Sequence, residues 1–228
     1  MEHCIAVPLP LRTQLYKPEH VPQFAYFMTS GLASIVTIMS DGGISEVEIV
    51  GHGGLVGSMH LLGPANVSTS CFMQIEGTAL RIEFSRLQEL FRTNAEIRAR
   101  ILEWVQEQAL MVSQIAGCNR LHSAEQRLSL WLLMASDRTS SEVLHITQEF
   151  LAEMIGTRRT TVTAIAGILQ RQGLIEYQRG RIQLVDRPTL ETTACYCYQV
   201  VRNLTRGLYR DAIHNNGTTT QRASLNNN

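Results

Sequence analysis

The hydrophobic and polar positions of this chain change period near residue 87, and the change divides it into a β-rich half and a helical half. Ala25-Tyr26-Phe27-Met28 reads as a strand, with a turn at Thr29-Ser30-Gly31. Ala33 to Met39 is rich in β-branched residues, and Asp41-Gly42-Gly43 behind it predicts a hairpin. Val47 and Ile49 alternate with Glu46 and Glu48, which predicts a half-buried strand. Gly51, Gly53, Gly54 and Gly57 punctuate the chain, and further strands are expected at Ser70–Ile75 and Thr78–Phe84. Short strands at this spacing predict a sandwich or barrel.

From Leu87 the pattern is helical. Asn94, Ile97, Ile101, Trp104, Gln108, Met111, Ile115 and Cys118 follow spacings of three and four, the a/d pattern of a coiled coil. A second stripe, Leu102, Val105, Ala109, Val112 and Ala116, runs beside it. One stripe suits a partner helix and the other the β domain. The a/d stripe is taken as the homodimer interface (Ile97, Ile101, Trp104, Gln108, Met111 and Ile115), with Asn94 and Gln108 as polar positions that fix register. Leu121 to Met134 predicts another helix, with Leu128, Trp131 and Leu132 buried. Asp137 to Ser141 reads as a polar linker, Leu190 to Leu208 as a closing helix, and the Asn- and Thr-rich stretch from His214 to Asn228 as a disordered tail.

Between the linker and the closing helix the local signals are dense. Thr147 is a good N-cap, Leu151, Met154 and Ile155 give a first short helix its buried side, and Gly156 can end it. Thr157 can cap a second helix from Arg158 to about Gln172, with Val162, Ile165, Ala166 and Leu169 inward. Gly173 stops it. Strands at Leu174–Tyr177 and Arg181–Val185, joined by Gln178-Arg179-Gly180, complete a helix-turn-helix with a hairpin wing. A helix laid in the major groove reads bases with its N-terminal residues, here Arg158, Arg159, Thr160, Thr161, Thr163 and Ala164. Arginine can donate two bonds to guanine, while threonine meets phosphate or a thymine methyl. Thr147 and Gln148 at the first helix, and Arg179 and Arg181 on the wing, join the DNA-binding set. The partner is double-stranded DNA, and a dimer predicts a palindromic operator.

Composition changes this picture little. The 228 residues are 44% hydrophobic and 18% charged, as in ordinary globular proteins. The formal net charge is zero, but residues 1–118 sum to −4 and residues 119–228 to +4, which places an anionic partner on the second half. No apolar run is long enough to span a bilayer, and Met1-Glu2-His3 does not open a signal peptide, so a cytoplasmic protein without membrane contact is expected. No zinc-protease helix, phosphate loop, dinucleotide fingerprint or nucleophile elbow is present, so no enzyme is expected.

The stretch from Ile146 to Val162, ITQEFLAEMIGTRRTTV, resembles the helix-turn-helix of the Crp/Fnr family of bacterial regulators. Tyr26 to Gly31 resembles that family's early β-roll motif, and Asn119 to Leu128 with Trp131 to Met134 resembles the helix leading into its DNA-binding domain. The resemblance covers nearly the whole chain. It implies an α+β protein with four parts: a cyclic-nucleotide-binding-like β-roll (cupin- or jelly-roll-like) at 1–90, a dimerisation helix at 91–118, a winged helix-turn-helix at 119–213, and the tail at 214–228. It also implies transcriptional regulation and RNA polymerase as a partner. Arg159 falls on the family's base-reading arginine. Thr160 stands where many members have Glu, and Ala164 where some have a second Arg, which leaves the operator open.

Members that bind cyclic nucleotide hold the ribose with a Gly-Glu pair and the phosphate with Arg-Ser or Arg-Thr. Here Gly57 is followed by Ser58, and the phosphate segment falls near Asn66-Val67-Ser68-Thr69-Ser70, without arginine. No Lys or Arg occurs between Lys17 and Arg81. A buried phosphate needs a charged partner. A degenerate pocket near Gly57, Ser58, Ser68 and Thr69 is therefore expected, without cyclic AMP or cyclic GMP as effector. Cys4 and Cys71 are too few in this half for an iron–sulfur cluster, and His52, His60 and Cys71 read as isolated residues rather than haem ligands. Cys195 and Cys197, two apart on one helix, would diverge by about 200° and are read as packing residues. No cofactor or metal is expected. The alternative reading is an effector-gated regulator whose β-roll binds a non-nucleotide small molecule or responds to redox.

Overall fold

The computed structural model describes residues 3–40, 42–63 and 67–207. Asp41, Asn66, Leu208 and the tail at 214–228, all named above, lie outside the described residues.

The first half folds as two four-stranded antiparallel sheets. One has the order β1(Ile5–Leu9), β8(Gly77–Glu83), β3(Phe24–Met28), β6(Leu55–Val56); the other has β2(Gln14–Tyr16), β7(Thr69–Ile75), β4(Leu32–Ile38), β5(Ile44–Val50). Ala25, Met28, Ala33, Val50, Met73 and Ile82 are all at most 3% exposed and fill the space between the sheets. This is the expected β-roll. The glutamates of β5 do not lie on a solvent face, however. Helices cover that side of the strand. Trp131 Nε1 donates to Glu46 Oε1 at 2.5 Å and Ser34 Oγ to Oε2 at 2.8 Å. Burial pushes both the Glu46 and the Glu48 carboxyls up to about 8.

Helix α1(Phe84–Thr93) buries Phe84 and Leu87 on the roll and ends at Asn94. Asn94 is not a coiled-coil position. Its side chain caps α2(Ala95–Leu121) by accepting the Ile97 N–H at 3.0 Å. The a/d stripe of α2 lies largely inside its own chain. Ile101, Trp104, Gln108 and Met111 are between 2% and 5% exposed within their own chain. Ile101 and Trp104 pack into the roll, and Trp104 Nε1 donates to the Leu55 carbonyl at 3.2 Å. Ile97 and Ile115 are half-buried against the same chain. Ile101, Trp104, Gln108 and Met111 have almost no surface left for a partner, while Ile97 and Ile115 keep part of theirs. The second stripe is the open one, with Leu102 45% exposed and Ala109 and Ala116 exposed.

Helix α3(Ala124–Thr139) starts from a capping box of Ser123 and Gln126 and takes in the first three residues of the expected linker, Asp137 to Thr139. The run Asp137–Ser141 is not free chain. Arg138 is 8% exposed, lies 3.5 Å from buried Glu107 on α2, and donates to Met111 Sδ at 3.2 Å. Beyond it come β9(Val143–His145), α4(Gln148–Met154), α5(Arg159–Arg171), β10(Ile175–Gln178) and β11(Arg181–Leu184), with sheet order β10-β11-β9. The expected closing helix is two helices, α6(Arg187–Thr193) and α7(Cys197–Gly207), separated by Ala194-Cys195-Tyr196. Cys195 and Cys197 are therefore not helix neighbours, and the divergence expected of them does not occur. Arg187 fastens this end by pairing with Asp137, Glu142 and Glu191 while donating to Tyr198 Oη at 2.8 Å.

Candidate nucleic-acid interface

Helix α4 begins at Thr147, whose hydroxyl accepts the Phe150 N–H at 3.3 Å. Leu151, Ala152 and Met154 are buried. Gly156 then takes φ +61°, a left-handed conformation that costs glycine nothing and turns the chain into α5. Arg158, not Thr157, occupies the cap position of α5, and no side chain caps it. The first turn of α5 holds no acidic residue, so its free N–H groups and dipole face outward without compensation. Val162, Ile165, Ala166 and Leu169 form the buried side, at no more than 7% exposure. This leaves Arg158, Arg159, Thr160, Thr163 and Ala164 exposed and Thr161 half-exposed.

The wing is set by local hydrogen bonds. Arg179 at φ +48° and Gly180 at φ +79° form a tight turn with two positive φ angles, which suits the twist of a two-residue hairpin. The Ile146 N–H donates to the Gly180 carbonyl at 2.8 Å, so the wing tip lies against the start of α4. Tyr177 N–H donates to Gln170 Oε1 at 3.0 Å and ties β10 to α5. Thr147, Arg179 and Arg181 are exposed. The Arg181 guanidinium donates to Gln183 Oε1 at 2.8 Å. Gln148 is half-buried, and the Thr163 hydroxyl donates toward its Oε1 at 2.6 Å, which clamps α4 to α5. Thr163 and Gln148 thus have a bracing contact that sequence reasoning did not provide. Arg127 on α3 braces the turn from behind by donating to the Ile155 carbonyl at 2.8 Å. Among the described residues, no carboxylate pairs with Arg158, Arg159 or Arg179. An unneutralised basic helix start beside a basic wing suits a phosphate backbone.

Residues 126–193 match the Crp-like helix-turn-helix domain, and residues 7–94 match the cyclic nucleotide-binding domain. The chain belongs to the Crp/Fnr family of transcriptional regulators. It is 27% identical to the transcriptional regulator SdrP of Thermus thermophilus over 75% of this chain and 83% of that one. Two solved structures share the fold. FixK2 from Bradyrhizobium japonicum has a TM-score of 0.71 at 14% identity, covering 84% of this chain and 98% of that one. A CRP-family regulator from Thermus thermophilus has a TM-score of 0.68 at 21% identity, covering 82% and 96%. This Crp/Fnr chain is thus a transcriptional regulator with a helix-turn-helix DNA-binding domain. Among its described residues, no helix is long and apolar enough to cross a membrane.

The sensor half keeps a cleft between the roll and α2. It is open, about 820 Å³, and lined by Tyr16, Glu48, Ser68, Thr69, Gln108 and Val112 among others. No Lys or Arg lines it among the described residues. Ser58 does not reach it as a ribose ligand would. It is 2% exposed, and its hydroxyl donates to Gln108 Oε1 at 3.1 Å. Gln108 therefore bonds the roll of its own chain. Glu48 Oε1 and Gln108 Nε2 are buried without a hydrogen bond of ordinary geometry among the described residues, but the Gln108 side chain faces the Glu48 carboxyl and favours its ionised form. Of the residues weighed for haem, His52 Nδ1 lies 3.0 Å from the Thr29 carbonyl, His60 packs edge-on against Tyr16 and Phe84, and Cys71 is fully buried.

Proposed function

We propose that this regulator binds a palindromic operator as a homodimer, without cyclic nucleotide, and reads base edges with the first turns of α5. The observation that carries the reading is the exposed, unpaired Arg158–Arg159 pair at an uncapped helix start, beside the exposed wing residue Arg179. Arg159 is the base-reading residue. Thr160, Thr161 and Arg158 flank it, while Thr147, Arg179 and Arg181 meet phosphate. Gln148 and Thr163 hold the two helices in register and face the same groove. Residues 1–90, the α2 region at 91–118 and residues 119–213 act as sensor, dimer helix and DNA-binding unit. RNA polymerase in the cytoplasm is the partner the bound dimer addresses, and no catalytic step is involved.

The dimer face is the Leu102, Val105, Ala109, Val112 and Ala116 stripe. Its support is the exposure of Leu102, Ala109 and Ala116 along one side of α2, with Val105 and Val112 half-buried between them, where small residues permit close helix approach. A gel shift of dialysed protein on selected operator fragments tests the whole reading. Specific binding without additive is expected, unchanged by cyclic AMP or cyclic GMP. Binding that appears only with cyclic nucleotide would overturn it.

One observation favours a gated variant of the same function. The Glu48 carboxyl and the Gln108 amide, buried beside a largely apolar cleft with no lysine or arginine in its lining, suit an uncharged or cationic small molecule rather than a phosphate. If such a ligand is required, the dialysed protein will bind DNA only after a small-molecule extract is added back.

A further inference from the structure

A second cluster of chemistry lies where the end of α2 meets the break between α6 and α7, away from the DNA-reading face. Cys118 and His122 stand four residues apart on α2, with His122 as its C-terminal cap residue. Cys195 lies in the break and Cys197 opens α7. Their three sulfurs and one imidazole nitrogen all lie within 4.8 Å of one another. Cys118 Sγ is 3.4 Å from Cys195 Sγ, and Cys197 Sγ is 3.5 Å from His122 Nδ1. The three thiols are free and buried, while the imidazole sits at the solvent edge.

We propose that Cys118, His122, Cys195 and Cys197 form a structural Cys3His site for one zinc ion. In a tetrahedral zinc site, Zn–S near 2.3 Å and Zn–N near 2.0–2.1 Å place neighbouring donors about 3.6–3.8 Å apart. The pairs at 3.4 and 3.5 Å are already close to that, and the widest separation of 4.8 Å closes with a shift of about 1 Å. Three soft thiolates and an imidazole suit zinc and disfavour the hard cations. A four-iron cluster distributes its thiolates over several irons, whereas this group encloses the space of a single ion. A disulfide needs sulfurs at about 2.05 Å, so the Cys118–Cys195 pair is not one. On binding, each thiol gives up its proton, the imidazole coordinates as the neutral form through Nδ1, and three protons leave per ion. Gln114 Nε2, which donates to Cys197 Sγ at 3.1 Å, supplies a hydrogen bond to the sulfur from outside the ligand set.

The position gives the site a purpose. One ligand pair stands just before α3, and the other follows α6, so the two bracket the winged domain. An ion held by all four would pin both ends of that domain to the dimer helix and fix the angle at which α5 is presented.

Metal content and a cobalt titration of the reduced full-length protein test the site independently of DNA binding. One zinc per chain is expected after purification. After chelation, Co2+ should give the visible bands of tetrahedral thiolate coordination, which one equivalent of zinc then bleaches. Cys195→Ser and Cys197→Ser should abolish stoichiometric binding, whereas Cys4→Ser should leave it intact. If the cysteine variants fail to fold, Gln114→Ala still reports, and should weaken metal affinity by about 10–100-fold. Wild-type protein that stays metal-free with added zinc and shows no tetrahedral cobalt bands overturns the proposal. So does a brown protein containing iron and sulfide, or a Cys118–Cys195 disulfide found in freshly purified protein.

Discussion

Charge placed on the two stripes of α2 should have opposite consequences, and the difference can be worked from exposure. Fully burying a leucine is worth about 1.5–3 kcal/mol. Leu102 is 45% exposed, so covering the remainder against a partner helix is worth about 0.7–1.4 kcal/mol per copy. Two-fold symmetry doubles this to about 1.4–2.8 kcal/mol, and Leu102→Glu would also oppose two carboxylates across the axis. The dimer should weaken at least about ten- to hundred-fold, since about 1.4 kcal/mol is tenfold. The monomer fold should be unaffected. Ile101→Glu and Met111→Glu act elsewhere. These side chains are 5% and 2% exposed and already enclosed by their own chain. Losing that packing and burying a carboxylate should cost roughly 3–5 kcal/mol of folding stability, out of about 5–15 kcal/mol for a typical domain. Sedimentation velocity across a concentration series reports dimerisation. Urea unfolding followed by tryptophan fluorescence reports the fold, because Trp104 and Trp131 are both in cores. A stable, folded, monomeric Ile101→Glu protein together with an intact Leu102→Glu dimer would refute the assignment of faces.

Four further outcomes are expected. Arg159→Ala should cost about 1–3 kcal/mol at one operator position and relax specificity there, and an unchanged footprint in binding-site selection would remove its base-reading role. Arg179→Ala should instead weaken binding evenly across sequences and lower the salt slope by about one, measured by titration at several salt concentrations. Glu46 and Glu48, with carboxyls raised to about 8 by burial, bind protons more tightly folded than unfolded. Their contribution is therefore fully present below the ordinary carboxylate range and is lost as pH rises toward 8, with a slope of up to about 1.4 kcal/mol per pH unit for each group. Glu46→Gln should flatten that decline in thermal melts, since the Ser34 hydroxyl can turn to accept from the amide; an unchanged profile would show that Glu46 is not the titrating group. Glu107→Ala leaves the Arg138 guanidinium buried without its carboxylate and should destabilise by about 3–5 kcal/mol in urea unfolding.

The winged helix-turn-helix was legible because its instructions are local. Thr147, Gly156, the Val162–Leu169 spacing and the Arg179-Gly180 turn each act within a few residues, and each adopts the local role that the residue type favours. The short strands β1, β2, β6 and β9 carry no comparable local pattern, because their partners lie far along the chain: Ile5 pairs with Arg81 and Gln14 with Phe72. Helix α2 posed a different problem. Its periodicity fixes which residues share a face, but two adjacent faces are apolar, and nothing in the spacing says which body lies against which. The chain's own cores took the richer stripe, Trp104 in the roll and Met111 in the cluster around α3, since that burial is intramolecular and needs no partner. Cys195 and Cys197 were misplaced for a related reason. A continuous helical pattern from Leu190 hides the break at Ala194, and only the break turns the two sulfurs toward Cys118.

The same distinction explains the junction between sensor and reader. Glu46, Glu48 and Glu107 all lie between the roll and the helices, where Arg138 faces Glu48 and Glu107 and Arg127 lines the same cavity as Glu46 and Glu48. Glu107 also accepts from the Thr205 hydroxyl at 3.0 Å, and the Arg138 carbonyl accepts the His52 N–H at 3.0 Å. Trp131 and Arg138 both belong to α3, the helix whose Arg127 braces the turn between α4 and α5. A change in the charge of Glu46 or in the position of the Gly51–Gly54 loop is therefore felt first by α3 and not by the exposed face of α2. Burial makes the Glu46 and Glu48 carboxyls costly to keep ionised, and this is the physical reason that stability should decline toward alkaline pH. An apolar junction would be more stable and would lack that dependence. The buried carboxyls give the contact between the two halves a free energy that responds to protonation, and to any cation that enters beside Glu48.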